Sequence, residues 1–107
     1  MERQSKNEKL LQYFKDICRI PRQTGDEEAI SQYLLDFAKA RGLQAERDAH
    51  HNVLIRKPST IPGYKGPTVI VQGHMDIVYE KSADSTHKYE DGIHVVEEDG
   101  YSKSADG

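Results

Sequence analysis

The sequence holds a single cysteine, no tryptophan, two phenylalanines, and no apolar run approaching the ~20 residues that cross a bilayer. One cysteine excludes an intrachain disulfide and any thiolate metal cluster built from this chain. Cys18 falls on the helical face of Leu11 and Phe14, where it reads as a small buried hydrophobe. The opening MERQSKNEK has no apolar segment of the leader type, so the expected location is the cytosol, without membrane. A clustered basic stripe is also missing. Fifteen Lys and Arg against eighteen Asp and Glu give a net charge of −3, which offers no footing for nucleic acid. At 107 residues one core is the limit, and a chain of this size is expected to bury roughly 65% of its unfolded surface if its sheet is complete.

Two amphipathic helices open the chain. Ser5 with Glu8 has capping-box spacing, and Leu10, Leu11, Phe14, Ile17 and Cys18 recur at helical intervals until Pro21. Thr24 with Glu27 gives a second start signal. Ile30, Leu34, Phe37 and Ala38 then form a stripe, and Gly42 supplies the stop. Asp26, Glu27 and Glu28 crowd that first turn, where acidic residues suit the helix dipole. From Leu43 the period becomes that of strands: 43–47 and 52–56 read as a hairpin. Residues 58–67 contain three of the four prolines and form a loop.

Thr68-Val69-Ile70-Val71-Gln72 is continuous and β-branched, the pattern of a central strand buried on both faces. Residues 79–91 carry no period. Ile93–Val96 and Tyr101–Ala105 flank Asp99-Gly100, a strong two-residue hairpin signal. The expected class is α/β, with two helices packed on a mixed sheet.

At the end of the central strand stands Gly73-His74-Met75-Asp76. In open α/β sheets ligands bind beyond the carboxyl ends of strands. Residues two apart in extended chain project to the same side, so Asp76 can face the space that His74 faces. A carboxylate holding one imidazole nitrogen leaves the other for a metal. On these residues alone, a metal site and a hydrogen-bonded strand terminus both stay open. His50 and His51 are adjacent and poorly placed to chelate together, His94 reads as a polar strand residue, and His87 lies in the irregular segment.

The run Val69–Asp76 with Val78 resembles the first metal-ligand motif of the di-zinc metallopeptidases that include aminoacylases and carnosinases. Asn52–Pro58, Glu46-Arg47-Asp48, Ile20-Pro21, and His87 followed by Tyr89, Asp91 and Ile93 resemble the bacterial aminoacyl-histidine (Xaa-His) dipeptidases. The similarity is collinear and runs along essentially the whole chain. It implies that residues 1–107 are the N-terminal, incomplete portion of a peptidase catalytic domain. His74 would bind one of two zinc ions, and Asp76 would be the active-site carboxylate that holds its imidazole. The implied reaction is hydrolysis of a dipeptide with C-terminal histidine by a metal-activated water.

The family's next ligand lies in a Gly-Ala-Asp-Asn-Gly stretch that nothing here matches. Asp106 falls just before its expected place, so the chain by itself is expected to be inactive. An unpaired sheet edge would then favour self-association. The alternatives are a non-catalytic module that binds a partner and a portion of a sister aminoacylase or other di-metal dipeptidase.

Overall fold

The computed structural model describes residues 6–105. Helix α1 spans Lys6–Cys18 and helix α2 spans Glu28–Ala40. Strands β1 (Gln44–Arg47) and β2 (Val53–Arg56) form one antiparallel hairpin, and β3 (Val95–Glu98) and β4 (Tyr101–Ser104) form a second. The class is α/β, as expected. The mixed character of the sheet is confined to one parallel bridge, Gln23 with Ile77, outside these strands. Ser5 and Asp106 lie outside the described residues. Among the described residues, no helix is long and apolar enough to cross a membrane.

Helix α1 ends where expected, ahead of Pro21. Helix α2 begins later than its start signal. Thr24 does not cap it; Glu27 occupies the N-cap position and makes no side-chain cap bond there. Its far end closes as the glycine predicts: the Gly42 N–H donates to the Lys39 carbonyl at 3.0 Å and the Leu43 N–H to the Ala38 carbonyl at 3.0 Å. These two bonds are the Schellman pair, which satisfies carbonyls the helix leaves open. The buried stripe of α2 is Ile30, Ser31, Leu35 and Ala38, rotated from the expected one so that Leu34 and Phe37 are only half-buried.

Helix α2 packs on the β1–β2 hairpin. The turn joining those strands is built on Asp48, whose carboxylate accepts the N–H groups of His50 at 2.8 Å and Asn52 at 2.9 Å and the Asn52 amide at 2.8 Å. The Asn52 side chain is the main cause that holds the Asp48 carboxyl below its ordinary value. Helices α1 and α2 meet through the Tyr13 and Phe37 rings, 5.4 Å apart edge to face, with the Arg41 guanidinium over Phe37. The second hairpin joins α1 by the Ile93 N–H to the Cys18 carbonyl, 2.7 Å, and by a Lys15–Glu97 ion pair of 2.9 Å. Its turn carries Asp99 and Gly100 at φ 54° and 81°, the pair of left-handed residues a two-residue hairpin needs.

One expected element is missing. Residues 68–72 form no strand, and Val69, Ile70 and Val71 are 80%, 82% and 94% exposed. A strand requires partners for its backbone groups, and a β-branched run requires cover on both faces. Here an open groove of about 860 Å³ separates residues 68–71 from Val53–Pro58, and among the described residues no strand lies beside them. Leu10 and Phe14 on α1 are exposed as well, so the dry face of that helix is covered only towards Cys18. The radius of gyration is 16.9 Å, against about 13 Å for a compact domain of this length. The accessible surface is 8749 Å², where a compact monomer of this mass exposes about 6,100 Å². The expected degree of burial is therefore not reached: the chain does not close a core around its own strands.

Gly92 marks where the second hairpin meets α1. It has φ +70°, and a Cβ there would lie 2.1 Å from the Arg19 carbonyl oxygen. Gly92→Ala combines left-handed strain of ~1–2 kcal/mol with a backbone clash of the overpacking kind, ~1–3 kcal/mol. The expected result is a loss of about 2–5 kcal/mol in denaturant unfolding, with Ile93 amide protection lost first.

Candidate metal centre

After α1 the chain passes Pro21, and residues 22–24 lie side by side with residues 75–77 through one parallel bridge, Gln23 with Ile77. The Ile77 N–H donates to the Arg22 carbonyl at 3.0 Å, and the Thr24 N–H donates to the Ile77 carbonyl at 3.2 Å. The Arg22 guanidinium adds a bond to the Met75 carbonyl at 3.0 Å. His74 and Asp76 are therefore anchored from one side only, at the point where the unpaired 68–72 segment gives way to backbone pairing. His74 stands past the end of an extended segment, and not past a central strand.

The two residues singled out by sequence do meet. His74 Nδ1 lies 2.9 Å from Asp76 Oδ1. The other carboxylate oxygen, Oδ2, accepts the Thr24 hydroxyl at 2.6 Å. Both carboxylate oxygens are thus engaged. An ionised carboxylate only accepts, so the bond requires the proton on His74 Nδ1 and leaves the Nε2 lone pair free. His74 is 79% exposed while Asp76 is 28% exposed, which puts the free nitrogen on the open side and the carboxylate against the chain. The Asp76 carboxyl sits below its ordinary 3.8, first because of the Thr24 hydroxyl and then because of His74.

This donor set suits a divalent ion at Nε2: a neutral imidazole with its second nitrogen held by a carboxylate is the usual histidine ligand arrangement. It is one ligand, where catalytic zinc takes three from protein. Among the described residues, no group of three or more His, Cys, Asp and Glu side chains is placed to hold an ion.

The remaining histidines stand apart. His87 is occupied at both nitrogens, Nε2 donating to the Gly92 carbonyl and Nδ1 accepting the Tyr79 hydroxyl at 2.9 Å. His50 and His51 lie in the β1–β2 turn, and His94 is exposed ahead of β3. Cys18 is buried, in keeping with its reading as a small hydrophobe. The acidic run at 26–28 divides its work. Asp26 accepts the Tyr89 hydroxyl at 2.7 Å, Glu27 accepts the Gly25 N–H at 3.0 Å, and Glu28 alone sits in the first turn of α2.

Sequence reasoning did not place Arg22, Thr24 or Tyr89 near the site. Thr24 carried a signal, but a helix-capping one, and the partners of all three lie more than fifty residues away.

No family model matches the chain. Over 80 residues it is 38% identical to the cytosol non-specific dipeptidase of Escherichia coli (strain K12), an alignment covering 75% of this chain and 16% of that protein. The crystal structure of aminoacylhistidine dipeptidase from Vibrio alginolyticus superposes with a TM-score of 0.84 at 33% identity, covering 91% of this chain and 20% of that one. By sequence and by fold, this chain is similar to part of these dipeptidases. It spans a fifth or less of their length, and its architecture corresponds to an N-terminal part of the dipeptidase domain.

The Asp76 environment makes a direct prediction. Its depressed carboxyl contributes stability that is complete above the ordinary 3.8 and is lost as pH falls through the lower folded value. Thr24→Val removes the largest cause of the depression. The Asp76 carboxyl resonance is expected to titrate closer to 3.8 in the variant, and an unchanged midpoint would contradict the bond.

Proposed function

We propose that residues 1–107 carry the N-terminal portion of the catalytic domain of a metal-dependent dipeptidase, acting in the cytosol on dipeptides with C-terminal histidine. The observation that carries this reading is the His74–Asp76 pair at 2.9 Å with Nε2 left open, in a chain similar to two dipeptidases. His74 would hold one ion of a two-zinc centre through Nε2. Bound zinc supplies an acidified water and positive charge for the carbonyl oxygen of the scissile bond. Asp76 keeps the proton on Nδ1 and fixes the ring, and the Thr24 hydroxyl keeps Asp76 from turning away. The other ligands and the general base would come from chain beyond the described residues, so these 107 residues alone are inactive in this reading. Neither nucleic acid nor membrane is a partner in it.

The two relatives differ in their stated preference, one non-specific and the other for aminoacyl-histidine. The His87 region supports the histidine preference, through its resemblance to that family. A sister enzyme of the aminoacylase kind has no comparable support, and no feature of the fold favours a non-catalytic binding module.

In the protein that carries the whole catalytic domain, Asp76→Asn is expected to lower metal affinity or activity by about 10–100-fold, and His74→Ala by more. Hydrolysis of Xaa-His dipeptides and zinc content would be measured on the same samples. Near-normal activity with full zinc in His74→Ala would sink the assignment.

The 107-residue chain by itself is expected to self-associate. Val69–Val71 are uncovered, and among the described residues β2 is paired only with β1. Light scattering at micromolar concentration should report species heavier than 12.2 kDa, whereas a strictly monomeric chain would contradict this.

A further inference from the structure

Thr24 reaches Asp76 because the turn carrying it is held in place: the Thr24 N–H donates to the Ile77 carbonyl at 3.2 Å, and the carboxylate of Glu27, the N-cap of α2, accepts the Gly25 N–H at 3.0 Å. The turn runs from Gln23 to Asp26, closed by the Asp26 N–H to the Gln23 carbonyl at 2.8 Å. One hydroxyl grips both ends of it. Tyr89 accepts the Gln23 N–H at 2.9 Å and donates to Asp26 Oδ2 at 2.7 Å. We propose that Tyr89 is a positioning residue for the His74–Asp76 pair, acting through the Gln23–Asp26 turn.

The ring that delivers this hydroxyl is itself fixed. Tyr89 packs edge to face on Tyr79, with centroids 5.0 Å apart. The Tyr79 hydroxyl donates to His87, whose other nitrogen donates to the Gly92 carbonyl. Gly92 lies against the backbone of Arg19, at the end of α1. The segment 79–92 therefore forms a brace between the end of α1 and the turn. Burial raises the Tyr89 hydroxyl above its ordinary 10.0, so it remains a donor throughout neutral pH. Phenylalanine at this position would keep the ring contact and lose both ends of the grip.

The role bears on catalysis only if His74 is a ligand as proposed above. The test needs no metal, so either reading can fail alone. It reads the His74 imidazole nitrogens by ¹⁵N NMR in the 107-residue chain at about pH 8. Wild type is expected to hold the proton on Nδ1. Tyr89→Phe should move a substantial fraction to Nε2, Thr24→Val should do the same, and the double variant should resemble Thr24→Val alone, because both changes act along one path. Asp26→Asn, which keeps an acceptor, should preserve the wild-type spectrum.

A Tyr89→Phe spectrum identical to wild type would overturn the proposal, as would additive effects in the double variant. If Tyr89→Phe loses the Ile93 amide protection that reports the intact brace, Asp26→Ala replaces it. That variant leaves the Tyr89 ring in place and must shift the same proton, and no shift there also overturns the proposal.

Discussion

The parallel contact between residues 22–24 and 75–77 is the constraint on which the site depends. Two backbone bonds and the Arg22 guanidinium join segments more than fifty residues apart in sequence. Without them the Thr24 hydroxyl could not reach Asp76, and Asp76 would hold His74 with one oxygen and nothing to orient the other. The same contact fixes the path between α1 and α2. It links the helical layer to the only part of the 68–78 segment that has backbone partners among the described residues.

Around this contact the chain is built in pieces that each satisfy themselves locally. Helix α2 covers the first hairpin, and the second hairpin hangs from the end of α1 by the Ile93–Cys18 bond. Local bonds of this kind need few neighbours. A central strand needs neighbours on both edges and cover on both faces, and residues 68–72 have neither, which is why the most apolar run of the sequence is among its most exposed segments. The large accessible surface and the extended dimensions are consequences of that one unmet requirement.

The sequence made the local features legible. Pro21 and Gly42 marked helix ends, Asp99-Gly100 marked a hairpin turn, and the alternation at 43–47 and 52–56 marked a strand pair, because each depends on residues a few positions apart. His74 and Asp76 were legible for the same reason, being two apart in extended chain. The start of α2 was misread because Thr24, a good capping residue, spends its hydroxyl on Asp76. Arg22 and Tyr89 were invisible because a side chain whose partner is 53 or 66 residues away leaves no periodicity behind. The strand at 68–72 was overread because a β-branched pattern records what a segment can pair with, not whether the partner is at hand.

A zinc titration of the chain followed at the His74 ring nitrogens tests the assignment of this pair most directly. If Asp76 orients His74 for a metal, added zinc shifts the Nε2 resonance while the proton stays on Nδ1, and it does so weakly, as one protein ligand should. A response confined to His50, His51, His87 or His94, or zinc displacing the proton from His74 Nδ1, would contradict it.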